Sequence, residues 1–190
     1  MKSTQAISGE LAFKGLVSQV MHVIMENAGA QCGALVFNRL VDGKPTPTVE
    51  ALINNQEDQC VFLQEQRLSK CKQLPVSLIE NTLRTQRIIN IDNVSHNGDY
   101  RQDRYFQRKQ PKSVLCMPII HRDSLMGVIY LENHITASAF TQNRLKTLNI
   151  LLTQATISFE NARLFNEVSN LNIGLEKKVA ERTRELEQAN

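Results

Sequence analysis

Arg101, Arg104, Arg108, Lys109 and Lys112 crowd into one short stretch of this chain, interleaved with Tyr100, Tyr105 and Phe106. Guanidinium groups hold anions through paired N–H donors, and aromatic rings stack on ligand rings. Arg101, Arg104, Tyr105 and Phe106 are therefore candidate contacts for a small-molecule ligand. Cys116, from the apolar run that follows, is grouped with them as a candidate lining residue. A solvated charged loop is the competing reading, because charged loops are the surface default.

Other chemistries find less support in the spacing. A metal centre needs His, Cys or carboxylates converging at set intervals. His22, His96, His121 and His134 are scattered and no CxxC pair exists, so no metal site is expected. Nucleophilic catalysis needs an activated thiol or hydroxyl beside a base. Cys116 falls inside an apolar run, where a packing thiol is inert, and no catalytic residue is assigned. Cys60 and Cys71 share a segment of unassigned structure, so a small thiol redox enzyme stays open as a weaker alternative. No phosphate-binding glycine loop is present. A net charge of +3 over 190 residues gives no argument for nucleic acid. No apolar stretch approaches a membrane span, the opening residues lack a signal-peptide core, and four cysteines without CxxC spacing suit the cytoplasm.

The elements that position these residues follow from periodicity. Phe13, Leu16, Val17, Val20, Val23 and Ile24 predict an amphipathic helix over 11–27. Residues 33–38 and 48–53 read as a hairpin around Asp42-Gly43-Lys44-Pro45. Residues 54–74 are polar and receive no element. Ser77 and Glu80 have capping-box spacing and open a helix towards Gln86. Residues 87–92 form a short strand. A helical turn is expected at 103–108. The runs 114–120 and 125–131, joined by His121-Arg122-Asp123-Ser124, predict two buried central strands. The fold class is α+β: an antiparallel sheet of about five to six strands, helices on one face, ligand-pocket loops on the other, and a long C-terminal helix.

That helix starts at Thr141, with Phe140 and Leu145 placed as a hydrophobic staple, and nothing stops it before Asn190. Roughly 50 residues reach on the order of 75 Å. Leu145, Leu148, Leu152, Ala155, Phe159 and Ala162 predict a core-facing stripe. Leu164, Val168, Leu171, Leu175, Val179, Arg182, Leu186 and Ala189 continue it in steps of 4, 3, 4, 4, 3, 4 and 3. Two consecutive fours make a stutter, which locally unwinds a left-handed supercoil. Gly174 is a soft spot beside it, costing about 1 kcal/mol against Ala. A parallel homodimer through this coiled coil is expected, and a helix lying on its own domain is the alternative.

The stretch 113–120 (SVLCMPII), a polar turn, and 125–133 (LMGVIYLEN) closely resemble the last two strands of a GAF domain. Ala139-Phe140-Thr141 with Leu145, Leu148, Leu152 and Ala155 resembles that family's terminal helix. Residues 87–92 resemble an earlier strand, and 27–34 the junction of first helix and first strand. The resemblance implies a non-catalytic sensory domain at 11–165, preceded by a connector at 1–10. It also implies that segment 93–112 caps a small-molecule cavity. Residues 175–190 resemble the coiled-coil linker (166–190) that leads into a histidine-kinase dimerisation helix. Both chain ends are then cuts inside a longer sensor kinase of a two-component system, whose kinase domain is the downstream partner. The ligand and cofactor stay unnamed: the N-K-F-x-F-D-E pattern of cyclic-nucleotide binders is absent, and His96 follows Ser95 rather than the cysteine bilin attachment needs. A ligand-free dimerisation module is the alternative function.

Overall fold

The computed structural model describes residues 2–54, 59–100 and 102–189, apart from the side chains of 2–7, 59, 64, 65, 188 and 189. Among these described residues, six antiparallel strands form one sheet in the order β3-β2-β1-β6-β5-β4. They are β1 (Cys32–Val41), β2 (Lys44–Asn54), β3 (Gln59–Arg67), β4 (Ile89–Ile91), β5 (Ser113–His121) and β6 (Ser124–Asn133). The helices are α1 (Lys2–Ala28), α2 (Val76–Thr85), α3 (Arg104–Lys109) and α4 (Gln142–Ala189). The α+β class and the antiparallel sheet are as expected.

Alternation along the strands splits the core in two. Leu35, Phe37, Leu115, Met117, Ile129 and Leu131 pack under α1 and α4. Ala34, Val36, Val114, Cys116, Val128 and Tyr130 face the other way, against α2, α3 and the turns between them. α1 and α4 run antiparallel. Arg144 of α4 lies beside Gly29, Phe159 beside Phe13, and Asn166 beside Gly9.

Two features of the sheet follow from residue type. Proline cannot donate to a ladder, so it belongs where a strand has a free side. Pro45 and Pro47 sit in β2 ahead of its pairing with β3, which begins at Thr48. Pro118 sits in β5 beyond its pairing with β4, which covers Cys116 to Val114. The other feature is Gly127 of β6, opposite Phe37. A Cβ at 127 would fall 2.0 Å from the Val36 carbonyl oxygen, so the central strand pair closes only over glycine.

Three expectations need correction. α1 begins at Lys2 rather than 11, because Gly9 does not break it; there the missing side chain admits Asn166, whose Oδ1 would stand 2.5 Å from a Cβ. The unassigned segment contains β3, an edge strand. Its mixed polar composition, with solvent along the free edge, hides the strand from periodicity. The capping box does not form. α2 starts at Val76 after Pro75, with no side-chain cap, and Ser77 Oγ instead donates to Asp103 Oδ2. Proline is already suited to the first turn, since it has no N–H to satisfy.

Candidate functional site

The candidate residues lie where β6 ends, between the sheet and α3. Asp103 caps α3, accepting the Tyr105 N–H at 2.7 Å, and its other oxygen takes the Ser77 hydroxyl, tying α3 to α2. This anchoring turns Tyr105 and Phe106 inward. Both are buried and meet edge-to-face at 5.6 Å, and Tyr100 meets Phe106 at 6.2 Å. Arg108 reaches the Lys72 carbonyl, with its guanidinium 5.9 Å from the Tyr105 ring centroid. Arg104 is exposed on the outer side of α3, and Arg101 lies outside the described residues. The structure thus brings Tyr105, Phe106 and Cys116 into one apolar cluster, with Arg104 apart from them.

A polar cluster at this end of the sheet went unseen in the sequence. Glu132 is 1 % exposed, and its Oε1 accepts from both Tyr105 and Tyr130 hydroxyls, the latter at 2.8 Å. Its Oε2 accepts from His134 Nε2 at 2.7 Å. A buried carboxylate is costly unless paired and hydrogen-bonded, and here every oxygen is engaged. Burial first, and then the Glu132 charge, push both phenols well above their usual range. They therefore stay protonated as donors.

Cys32, the register partner of Glu132 in β1, completes the group. One donor atom from each of Cys32, Glu132 and His134 lies within 4.8 Å of the others. The only local signal was Glu132 and His134 two residues apart, the spacing of a shared strand face. Cys32 is about a hundred positions away and joins through strand register alone. Main-chain links hold the frame. The Gln31 N–H donates to the Glu132 carbonyl at 2.9 Å, the His134 N–H to Gln31 Oε1 at 2.8 Å, and Asn133 Nδ2 to the Gly29 carbonyl at 2.7 Å.

The thiols are not arranged for disulfide exchange. Cys60 packs against the cluster under α1 and α4, whereas Cys71 belongs to the opposite face, so the sheet separates the two. Burial raises the thiols of both, and pushes Cys116 up to about 12. Native protein treated with iodoacetamide at neutral pH is expected to leave Cys116 and Cys71 unmodified until denaturant is added. Peptide mass spectrometry checks this, and rapid native labelling of Cys116 would contradict its packing role.

No helix among the described residues is long and apolar enough to cross a membrane. A segment of 96 residues is 35 % identical to the hybrid signal transduction histidine kinase G of Dictyostelium discoideum, covering 50 % of this chain and 3 % of that protein. Over 170 residues the chain is 24 % identical to the peroxide stress-activated histidine kinase mak3 of Schizosaccharomyces pombe, covering 88 % of this chain and 7 % of that protein. The chain thus spans only a small fraction of the curated relatives it matches. The GAF domain region of a putative membrane protein from Geobacter sulfurreducens superposes with a TM-score of 0.63 at 10 % identity, over 82 % of this chain and 98 % of that one. That likeness concerns the fold alone. The family model of the GAF domain matches residues 14–159. With six antiparallel strands between an α1–α4 layer and an α2–α3 layer, and a family match over most of its length, the chain belongs to the GAF domain family.

Proposed function

We propose that this GAF domain is a non-catalytic input module of a cytoplasmic sensor histidine kinase, and that it works as a dimer joined through the distal part of α4. The observation that carries this reading is the apolar stripe of α4. Leu148, Leu152, Ala155 and Phe159 are buried against the domain. Beyond them Leu171, Leu175, Val179 and Leu186 continue the stripe at 60–66 % exposed. At 48 residues the helix is about 72 Å long, far more than its own domain covers. A stripe at these steps is buried by a second copy of itself, and the kinase nature of both relatives supplies the downstream partner. Residues 1–10 and 166–190 act as connectors, with the sensory unit at 11–165 between them.

The input is a small molecule held between the sheet and segment 93–112, with Arg101, Tyr105, Phe106 and Cys116 as its contacts; Arg104, on the outer side of α3, stands outside this set. Such a ligand shifts the packing of the paired α4 helices only if it binds two packings with different affinity. The tight cluster of Tyr105, Phe106, Tyr130 and Cys116 favours a second reading, a ligand-free dimerisation module with this layer filled by its own side chains. Native mass spectrometry of freshly purified protein separates the two, since a retained small molecule supports the sensor and bare mass the scaffold.

The dimer itself is tested on the full chain. Light scattering is expected to give a dimer for the unaltered protein and a monomer for the pair Leu171→Glu and Leu175→Glu, with an unchanged circular dichroism spectrum. An unaltered chain that stays monomeric at every concentration reached would sink the reading.

A further inference from the structure

We infer that Cys32, Glu132 and His134 form a binding site for one thiophilic divalent cation of the Zn2+ class. This inference stands apart from the reading of α4 and of segment 93–112, and it goes against the expectation from sequence that no metal site exists.

The donor set is the first argument. A thiolate, an imidazole nitrogen and a carboxylate oxygen are the three ligand types that Zn2+ prefers, and their mixture disfavours Mg2+ and Ca2+, which take oxygen only. The distances are the second. Around tetrahedral Zn2+, with bonds near 2.0–2.3 Å, neighbouring donors stand roughly 3.3–3.7 Å apart. The three donors already lie within 4.8 Å of one another. Reaching that spacing takes about 1–1.5 Å of side-chain movement, the wider separations closing while the 2.7 Å contact between Glu132 and His134 opens. Cys32 and His134 are half-buried rather than locked in the core, and can supply it.

The surroundings are the third argument. A ligating carboxylate usually has its orientation fixed by donors outside the metal shell. Tyr105 and Tyr130 do this to Glu132, holding Oε1 and leaving Oε2 turned to His134. A divalent cation takes the place of the proton between Oε2 and His134 Nε2, and its second positive charge balances the Cys32 thiolate left when the thiol proton is released to solvent. The backbone of His134 is pinned by Gln31, and Cys32 and Glu132 are opposed in register. Three protein ligands leave a fourth position for water or a small anion. The bound ion links the α1–β1 junction to the end of β6, which leads within nine residues into α4.

Co2+ alone, added to the reduced full chain without oxygen, is the probe. Expected are one Co2+ per chain, a thiolate-to-cobalt charge-transfer band, and displacement by Zn2+. Cys32→Ser abolishes the band, His134→Gln weakens binding by at least about tenfold, and Cys60→Ser changes neither. Both test positions are half-exposed, and circular dichroism verifies the fold; His134→Gln decides alone if Cys32→Ser is unfolded. Absence of the band in the unaltered chain overturns the inference. So does a band that survives Cys32→Ser, or binding indifferent to His134→Gln. Any of these leaves Glu132 and His134 as a plain hydrogen-bonded pair.

Discussion

Gly127→Ala is expected to destabilise the domain by at least about 3 kcal/mol, or to prevent its folding, although it adds a single methyl group. The added carbon falls 2.0 Å from the Val36 carbonyl oxygen and 2.9 Å from Phe37 Cα. Both are backbone atoms of the neighbouring central strand, so no rotamer change relieves the clash. The β1–β6 pairing must open, and with it the sheet that both cores share. Chemical denaturation followed by circular dichroism measures the loss. Gly174→Ala is the control on the same chain. Nothing lies within 4 Å of a Cβ there, and the position is mid-helix in α4. That change is expected to stabilise by up to about 1 kcal/mol. Equal effects at the two glycines would refute the account of the central strand pair.

Phe159→Ala is expected to cost about 3–5 kcal/mol. Phe159 is buried, meets Phe37 of β1 edge-to-face at 5.5 Å and lies 6.1 Å from Phe13 of α1. One ring therefore joins α4, α1 and the sheet, and its removal opens a cavity where all three meet. Ile150→Ala, on the same helix but at an exposed position, is expected to change stability by no more than about 0.5 kcal/mol. The contrast separates the half of α4 that belongs to the core from its solvent-facing side. A cost at Phe159 below about 1 kcal/mol would mean that α4 does not pack on the domain as described.

Much of this architecture was legible because it rests on local rules. The apolar runs at 114–120 and 125–131 marked two buried strands, and they became β5 and β6. The stripe from Leu145 to Phe159 marked a core-facing helix, and Leu148, Leu152 and Phe159 are buried in it. β3 escaped notice because an edge strand needs no continuous apolar face. The cap of α2 lies two residues earlier, at Pro75, because Ser77, which has the right type for a cap, finds Asp103 instead. That partner is 26 positions away, and local spacing carries no information about it.

The candidate site shows the same division more sharply. Tyr105, Phe106 and Cys116 attracted attention through residue type and neighbourhood, and they do converge, but as a packed layer with Arg104 outside it. The Cys32–Glu132–His134 group attracted none, because its members are ordinary until β1 and β6 are aligned. Residue order alone settled the buried strands at 114–120 and 125–131 and the reach of α4, since these depend on hydrophobic burial repeating at fixed intervals, while the GAF class was carried by the resemblance of the motifs at 113–120 and 125–133. Only the tertiary structure decided which polar groups share a buried carboxylate and which thiol stands beside them. Those contacts arise from register between strands a hundred residues apart, which long-range packing sets and no local period encodes.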